Sequence, residues 1–180
     1  MIPKLFAYQL MIFAVLFVSC NTDNKSDKNN DSNQNNPQLK KESLIKTNRY
    51  LVNSENTEIN NYIRRHNLDV VETGSGLRYK ITKHGEGEMA QKGKVATLNY
   101  KVKLITGDVI YTSDKTGHKE FEIGHGGVES GLEEAILHMK VGDHAIIIIP
   151  SHLAFGLLGD NKNIPPRSTI IYEIEFTNIN

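Results

Sequence analysis

The chain has 180 residues, and its 21 basic and 21 acidic side chains give a formal net charge of zero. A neutral chain of this kind has no electrostatic signature of nucleic-acid binding, so we expect no nucleic-acid partner. The single cysteine, Cys20, excludes a disulfide within the chain. The seven histidines are scattered, and the nearest approach to a metal-binding pair, His118 and His125, is better interpreted as two solvated loop side chains. We therefore expect no metal site.

Residues 1–19 have the pattern of an export signal peptide. Lys4 is their only charged residue, and residues 5–18 are almost entirely apolar. This apolar run is shorter than the roughly 20 residues that a membrane-spanning helix needs. The run ends in Phe-Val-Ser-Cys, which resembles the bacterial lipobox, in which the peptide is cut before the cysteine and the thiol is lipidated. The resemblance implies a lipid anchor on Cys20; the alternative is an ordinary cleaved signal peptide with an incidental cysteine.

Residues 20–38 are predicted to form a disordered tether. Residues 21–36 include seven asparagines and no apolar residue, so they cannot bury apolar surface. In the lead-in that follows, residues 39–72, apolar positions recur at helical spacing and predict two amphipathic helices within residues 39–67. Helices this short need a partner surface. They either dock on the domain that follows or mediate self-association.

Residues 73–180 contain the strand patterns of one domain. Several segments alternate apolar and polar side chains, as strands with one buried face do. Gly107 and Asp108 can form the turn of a hairpin. The strands are expected at residues 77–83, 95–105, 109–113, 121–123, 145–149 and 169–177.

One helix is predicted in residues 128–139, with Ser130 and Glu133 as a capping box at its start. Its apolar residues lie at i, i+3, i+4 and i+7 and are Leu132, Ala135, Ile136 and Met139. The strand after it is apolar on both faces, so neither face meets water. Several antiparallel strands and one helix predict an α+β fold in which the helix lies across a twisted sheet.

The segment GLEEAILHMKVGDHAIIIIPSHLAFG, followed by IPPRSTIIYEIEF, resembles the FKBP-type peptidyl-prolyl cis-trans isomerases. The similarity covers about residues 76–180, with the strand, helix, strand, long loop and last strand in the family's order. It implies an FKBP-like fold, a twisted antiparallel sheet wrapped across one short helix, and isomerisation of Xaa-Pro bonds. Together with the lipobox, the tether and the helical lead-in, the chain is similar to exported FKBP lipoproteins, one group of which is associated with gliding motility.

The resemblance also implies where the protein acts and what it binds. Its partners would be Xaa-Pro segments of exported polypeptides, and macrolide-type inhibitors would be possible ligands. The lipid anchor would hold it in the cell envelope, facing the periplasm or the cell surface. No cofactor is implied.

The chemistry of prolyl isomerisation agrees with the residues present. Rotation about the prolyl amide crosses a barrier of about 18–20 kcal/mol, because resonance in the C–N bond must be lost. A dry aromatic pocket that strips water from the carbonyl favours the twisted, less polar amide, and no nucleophile is needed. The domain lacks a Ser/His/Asp or Cys/His arrangement. It offers aromatic residues on successive elements, which by periodicity alone are core residues: Tyr100, Tyr111, Phe121, Phe155 and Tyr172.

The resemblance gives several of these residues, and others, a role in the family's pocket. Carried over one by one, the matching pocket positions are Tyr100, Tyr111, Thr112, Val128, Glu129, Leu132, Phe155, Ile164 and Tyr172. At the Glu129 position the family uses the backbone N–H to bind the ligand carbonyl. Leu132 would form the floor, where many members carry tryptophan, and so leave a wider pocket. Ile164 would be the hydrophobic residue of the lid.

Three positions depart from the family's pattern. Thr112 stands where an aspartate typically orients the pocket hydroxyls, unless Asp114 substitutes for it. Phe155 stands where a tyrosine usually donates a hydrogen bond to the substrate carbonyl, a bond worth on the order of 1 kcal/mol. Lys119 lies where an aromatic wall residue is common. These departures predict reduced activity and leave two alternatives: a binding or chaperone module with little turnover, and an assembly role for the helical lead-in.

Overall fold

The computed structural model describes residues 37–180. The predicted signal peptide, Cys20 and nearly all of the predicted tether lie outside the described residues. The chain divides into two compact units, Met1–Lys41 and Glu42–Asn180. The described part of the first unit, residues 37–41, is helical, and the second unit contains the whole sheet.

A single helix, α1, spans Pro37–Arg65. The prediction of two short helices is therefore wrong: the change in the apolar pattern near Ser54 does not break the helix, because serine is an acceptable residue in a helix interior. The helix begins at Pro37, two residues before the predicted start of the helical lead-in. Proline suits this position because the first N–H groups of a helix have no partner within it.

Seven strands form one antiparallel sheet in the order β1-β2-β6-β7-β3-β4, and β5 pairs with β3 beside β4. The strands are β1 (Val71–Glu72), β2 (Arg78–Lys83), β3 (Val95–Leu104), β4 (Val109–Thr112), β5 (Lys119–Glu122), β6 (His144–Ile149) and β7 (Ile170–Ile179). The short helices are α2 (Ser113–Thr116) and α3 (Ser130–Ile136), with a 3₁₀ turn at Ser151–Leu153. The α+β prediction and the hairpin around Gly107 are confirmed.

The two faces of the sheet carry two separate cores. Ile147 and Ile149 of β6 belong to the larger core on the α3 side, whereas Ile148 packs with Ile59 and Tyr62 of α1. Alternate side chains of a strand point to opposite faces, so an uninterrupted apolar run requires cover on both. The prediction that β6 has no solvent-facing side is thus explained by α3 on one face and the second half of α1 on the other.

Helix α3 packs so closely on β6 that a Cβ added at Gly131 would lie 2.4 Å from a methyl of Ile149. The predicted capping box is wrong, since the hydroxyl of Ser130 donates to the Leu153 carbonyl (3.2 Å). The Glu133 carboxylate instead accepts the backbone N–H groups of Gly124 (2.7 Å) and Gly126 (3.1 Å). It therefore fixes the loop that leads into α3.

The second half of α1 is tied to the sheet by Glu55. One of its carboxylate oxygens accepts the Ser151 N–H (2.6 Å) and the Thr169 hydroxyl (2.7 Å), and the other accepts the Ser151 hydroxyl (3.0 Å). One side chain thus joins α1 to the end of β6 and the start of β7. No helix within residues 37–180 has both the length and the apolar character of a membrane span.

We expect Glu55→Ala to lower the free energy of unfolding by about 2 kcal/mol, because partly buried donors on Ser151 and Thr169 lose their acceptor. Glu58→Ala is the matched control: Glu58 is exposed on the same helix, and its loss should change stability by less than about 0.5 kcal/mol. Urea unfolding of the purified protein measures both. Equal midpoints for the two variants would contradict the role assigned to Glu55.

Candidate active site

A cavity of about 400 Å³ opens on the α3 side of the sheet, between β3, β4, β5, the start of α3 and the loop after β6. Four aromatic side chains from four different elements converge on it: Tyr100, Tyr111, Phe155 and Tyr172. Its remaining walls include Val102 and Thr116. Four charged residues also line it, and they are Lys119, Glu129, Asp160 and Lys162.

Five of the predicted site residues line this cavity: the four aromatics and Glu129. The other four are not among the residues that line it. Leu132 and Ile164 are 0% and 3% exposed and belong to the core, and Val128 packs against that core. Thr112 contributes its backbone carbonyl, which accepts the Thr116 hydroxyl (2.9 Å).

Strand pairing brings Tyr100 and Tyr172 together. In the β3–β7 register, Val102 pairs with Tyr172 and Tyr100 pairs with Ile174. Tyr100 is therefore a diagonal neighbour of Tyr172 on the same face, and such neighbours are within reach of aromatic side chains. The ring centroids are 6.0 Å apart and the planes are inclined by 49°, a favourable tilted arrangement.

The hydroxyl of Tyr172 donates a hydrogen bond of 3.0 Å to Glu129 Oε1, and both residues are buried. Burial raises the pKa of Tyr172, and the negative charge of Glu129 raises it further. The hydroxyl therefore stays protonated and remains a donor to the carboxylate. Sequence reasoning missed this role, because it considered only the backbone of Glu129. The signal present in the sequence was a glutamate immediately before an apolar helix face.

Lys119 places an ammonium group in the pocket wall. Its Nζ lies 3.7 Å from Glu129 Oε2, and 5.4 and 5.7 Å from the ring centroids of Tyr100 and Tyr172. These distances fit a cation over two aromatic faces. Glu129 Oε2 is buried and has no hydrogen-bond donor among the described residues. Its charge is therefore balanced by the Lys119 ammonium across a gap longer than a hydrogen bond.

Asp160 orients the hydroxyl of Tyr111, which donates to one of its carboxylate oxygens. The other oxygen accepts the backbone N–H groups of Lys162 (2.9 Å), Asn163 (2.9 Å) and Ile164 (2.8 Å). Burial acts to raise the pKa of Asp160, but the Tyr111 hydroxyl and these amides outweigh it and hold the pKa at about 2. The hydrogen bond to Asp160, together with burial, raises the pKa of Tyr111.

A carboxylate thus orients each of two pocket hydroxyls, although Thr112 replaces the family's aspartate. The suggestion that Asp114 substitutes for it is not supported, because Asp114 is exposed on α2 and does not line the cavity. Glu129 and Asp160 take this role instead, from α3 and from the long loop.

The hydroxyl of the third tyrosine, Tyr100, also forms a hydrogen bond within the protein. Tyr100 and Thr116 share a hydrogen bond of 2.6 Å, and Thr116 itself donates to the Thr112 carbonyl. Since a hydroxyl has one hydrogen to donate, Tyr100 must be the donor in the first bond. All three tyrosine hydroxyls that line the cavity are therefore donors to protein acceptors.

The donors left for a bound molecule lie elsewhere in the wall. Phe155 has no hydroxyl. The backbone N–H of Glu129 has no protein acceptor within residues 37–180, and neither does the Lys119 ammonium within hydrogen-bond distance. The pocket accordingly combines an aromatic cage with the free backbone N–H of Glu129 and the ammonium of Lys119.

Residues 86–177 match the family model described as FKBP-type peptidyl-prolyl cis-trans isomerase. The chain belongs to this family. The resemblance found in the sequence is therefore confirmed at the level of the family, together with its fold. The domain is the FKBP part of the chain, and the cavity described above is its candidate active site.

The share of each relative's length that this chain matches differs from one relative to the next. FK506-binding protein 2 of Yarrowia lipolytica is 36% identical over 105 residues, 58% of this chain and 73% of that protein. The FKBP-type 22 kDa peptidyl-prolyl cis-trans isomerase of Escherichia coli is 36% identical over 108 residues, 59% of this chain and 52% of that protein. The crystal structure of FkpA from Escherichia coli aligns with a TM-score of 0.62 at 26% identity, covering 79% of this chain and 66% of that one. The FKBP chain described here thus spans about half of the 22 kDa relative.

We expect the carboxyl carbon of Asp160 to titrate with a midpoint of about 2 in NMR spectra, below its ordinary value of 3.8. Tyr111→Phe should raise this midpoint, because it removes a donor that favours the charged carboxylate. Tyr100→Phe is the control, since Tyr100 bonds to Thr116 instead. The lowered pKa also means that Asp160 stabilises the fold above its ordinary pKa, and that this contribution is lost as the pH falls to about 2. An unchanged midpoint in Tyr111→Phe would contradict the assignment.

Proposed function

We propose that this protein is a peptidyl-prolyl cis-trans isomerase, anchored to a membrane through a lipid on Cys20, that acts on Xaa-Pro bonds of exported polypeptides. The observation that carries the activity is the convergence of four aromatic side chains on one cavity that also presents the free N–H of Glu129. Membership of the FKBP family supports the same reaction.

The reaction requires no covalent step by the protein. Water stabilises the planar prolyl amide by hydrogen bonding to its polarised carbonyl, and rotation about the C–N bond removes that polarisation. An aromatic cage that excludes water therefore favours the twisted amide relative to the planar one. The Glu129 N–H is suited to hold a carbonyl of the bound segment, which orients the proline against the aromatic walls.

A reduced kcat/KM is the expected consequence of how the pocket hydroxyls are used. The hydroxyls of Tyr100, Tyr111 and Tyr172 donate to protein acceptors, and Phe155 offers none. The same observation supports a second candidate, an FKBP-fold binding module that holds apolar or prolyl segments as a chaperone does, without useful turnover. Peptide binding without rate enhancement would distinguish this module from an enzyme.

We expect the wild-type protein to accelerate cis-trans exchange of an Ala-Leu-Pro-Phe peptide, and Phe155→Tyr to raise kcat/KM by at most about tenfold, equivalent to about 1.4 kcal/mol. A hydroxyl that binds the substrate carbonyl does so in the planar and the twisted amide alike, so the gain should appear mainly as a lower KM. Leu157→Tyr is the matched control, because Leu157 is 69% exposed on the same loop.

NMR exchange spectroscopy gives the rates, and titration of the same peptide gives its affinity. If the wild type binds the peptide but leaves its exchange rate at the uncatalysed value, the binding module replaces the enzyme. An equal gain in Leu157→Tyr and Phe155→Tyr would show that the added hydroxyl acts outside the cavity.

The proposed location is supported by the resemblance of Phe-Val-Ser-Cys, after an apolar run, to the lipobox. Acyl chains on Cys20 would anchor the protein stably, since each buried CH₂ contributes about 0.8 kcal/mol. The protein would then act in the cell envelope, facing the periplasm or the cell surface. Similarity to FKBP lipoproteins that are associated with gliding motility suggests a second proposed role, in which the protein supports gliding motility.

We expect Cys20→Ala to shift the protein from the membrane fraction to the soluble fraction of cells, because the lipid has no other attachment point on this chain. Ser19→Ala is a suitable control: alanine keeps a small residue before the cysteine. Fractionation followed by a carbonate wash measures the distribution. Retention of Cys20→Ala in the washed membranes would overturn the lipid anchor.

A further inference from the structure

We propose that Lys119 makes the candidate pocket selective for prolyl segments that carry an acidic side chain next to the proline. The inference rests on the proposed function, since it names the substrate class of the same site. It is carried by the way in which the pocket distributes its charged groups.

The first observation is that the Lys119 ammonium has hydrogens to donate. Its side chain is 23% exposed, and Nζ is 3.7 Å from Glu129 Oε2, beyond hydrogen-bond distance. Within residues 37–180 this ammonium has no acceptor at hydrogen-bond distance and forms no other ion pair. An ammonium has three donors and no acceptor capacity. The rings of Tyr100 and Tyr172 hold the cation in the wall without consuming any of these donors.

The second observation is that both carboxylates in the wall are already used by the protein. The Glu129 side chain is 6% exposed; Oε1 accepts the Tyr172 hydroxyl, and Oε2 is buried. Asp160 accepts three backbone N–H groups on one oxygen and the Tyr111 hydroxyl on the other. Neither carboxylate is therefore well placed to attract a basic ligand.

The third observation is a second cation at the same cavity. Lys162 is exposed, lines the cavity from the long loop, and its side chain has no hydrogen-bond or ion-pair partner in the described part of the chain. Lys119 comes from β5, a different element of the wall. The four charged side chains of the cavity sum to zero, but the two ammonium groups still have hydrogens to donate to a ligand, whereas both carboxylates already accept hydrogen bonds from the protein.

These observations point to a carboxylate as the complementary group. With the proline ring against the aromatic walls, the side chain of the preceding residue is available to contact the rest of the cavity lining, which includes Lys119. A glutamate or aspartate there can accept a charge-assisted hydrogen bond from Lys119, which is stronger than a neutral one. Because Glu129 holds the ammonium by charge alone, this bond forms without breaking any hydrogen bond in the wall.

The test compares peptides that differ only in the residue before the proline: Ala-Glu-Pro-Phe, Ala-Gln-Pro-Phe, Ala-Leu-Pro-Phe and Ala-Lys-Pro-Phe. Exchange rates and affinities are measured by NMR on the full chain in detergent micelles. We expect kcat/KM for the glutamate peptide to exceed that for the glutamine peptide about fivefold, with the lysine peptide the poorest. Raising the salt to about 1 M should reduce the ratio, because it screens the charge interaction.

Variants of Lys119 test whether its side chain causes the preference for the glutamate peptide. Lys119→Met should bring the glutamate-to-glutamine ratio close to one, whereas Lys119→Arg should retain most of it because the charge is kept. Lys115→Met is the control: Lys115 is exposed on α2, outside the cavity, and the ratio should not change. If Lys119→Met fails to fold, the salt dependence of the wild type still tests the inference.

The failures are distinguishable. A ratio of one in the wild type, with turnover of the leucine peptide intact, would overturn the selectivity and leave the isomerase standing. No turnover of any peptide, with tighter binding of the glutamate peptide, would overturn the isomerase and retain the selectivity as a property of a binding module. A ratio that persists in Lys119→Met would show that Lys119 does not determine it.

Discussion

The pairing of β3 with β7 fixes the geometry on which the candidate site depends. These strands are matched residue by residue from Leu98–Phe176 to Leu104–Ile170, with a single register shift at the far end. Because a slip of one residue would turn every side chain to the opposite face, this register determines which aromatics meet above the sheet. A slip of one residue would turn one of these two rings to the other face and separate Tyr100 from Tyr172. The loops then add Phe155 and Asp160 around a wall that is already in place.

The pocket satisfies its own polar groups before any ligand arrives. A buried hydroxyl without a partner costs on the order of 1–3 kcal/mol, so Tyr172 in the core requires an acceptor, and Glu129 provides it. The acceptor is a charge that itself requires a counter-charge, and Lys119 provides that. The glutamate beside the pocket thus gives Lys119 a structural partner as well as a place in the wall. Stability and ligand recognition are coupled through this chain of contacts.

Strands and their buried faces could be predicted from the sequence because side chains alternate between the two faces of a strand, so that apolar residues recur at every second position. The alternation in β3 and β7 and the unbroken apolar run of β6 identified the sheet and its buried faces. The family motifs then identified the aromatic cage. Contacts between distant side chains could not be predicted in this way: nothing local relates Glu129 to Tyr172 or Asp160 to Tyr111. The continuity of α1 through Ser54 was missed because helix length depends on what the helix packs against, and Glu55 finds its partners about 100 residues further along the chain.

The second core beneath α1 shows that two boundaries differ in this chain: the start of the family match and the start of the segment that packs on the sheet. The similarity to other FKBP proteins begins at residue 86 in the family model, yet Ile148 and Ile171 in the centre of the sheet are kept from water by Ile59 and Tyr62, far upstream. The segment that the family model matches is therefore shorter than the part of the chain that covers both faces of the sheet. Since α1 precedes every strand in the sequence, Ile59 and Tyr62 are synthesised first and cannot be buried against Ile148 and Ile171 until β6 and β7 have been made.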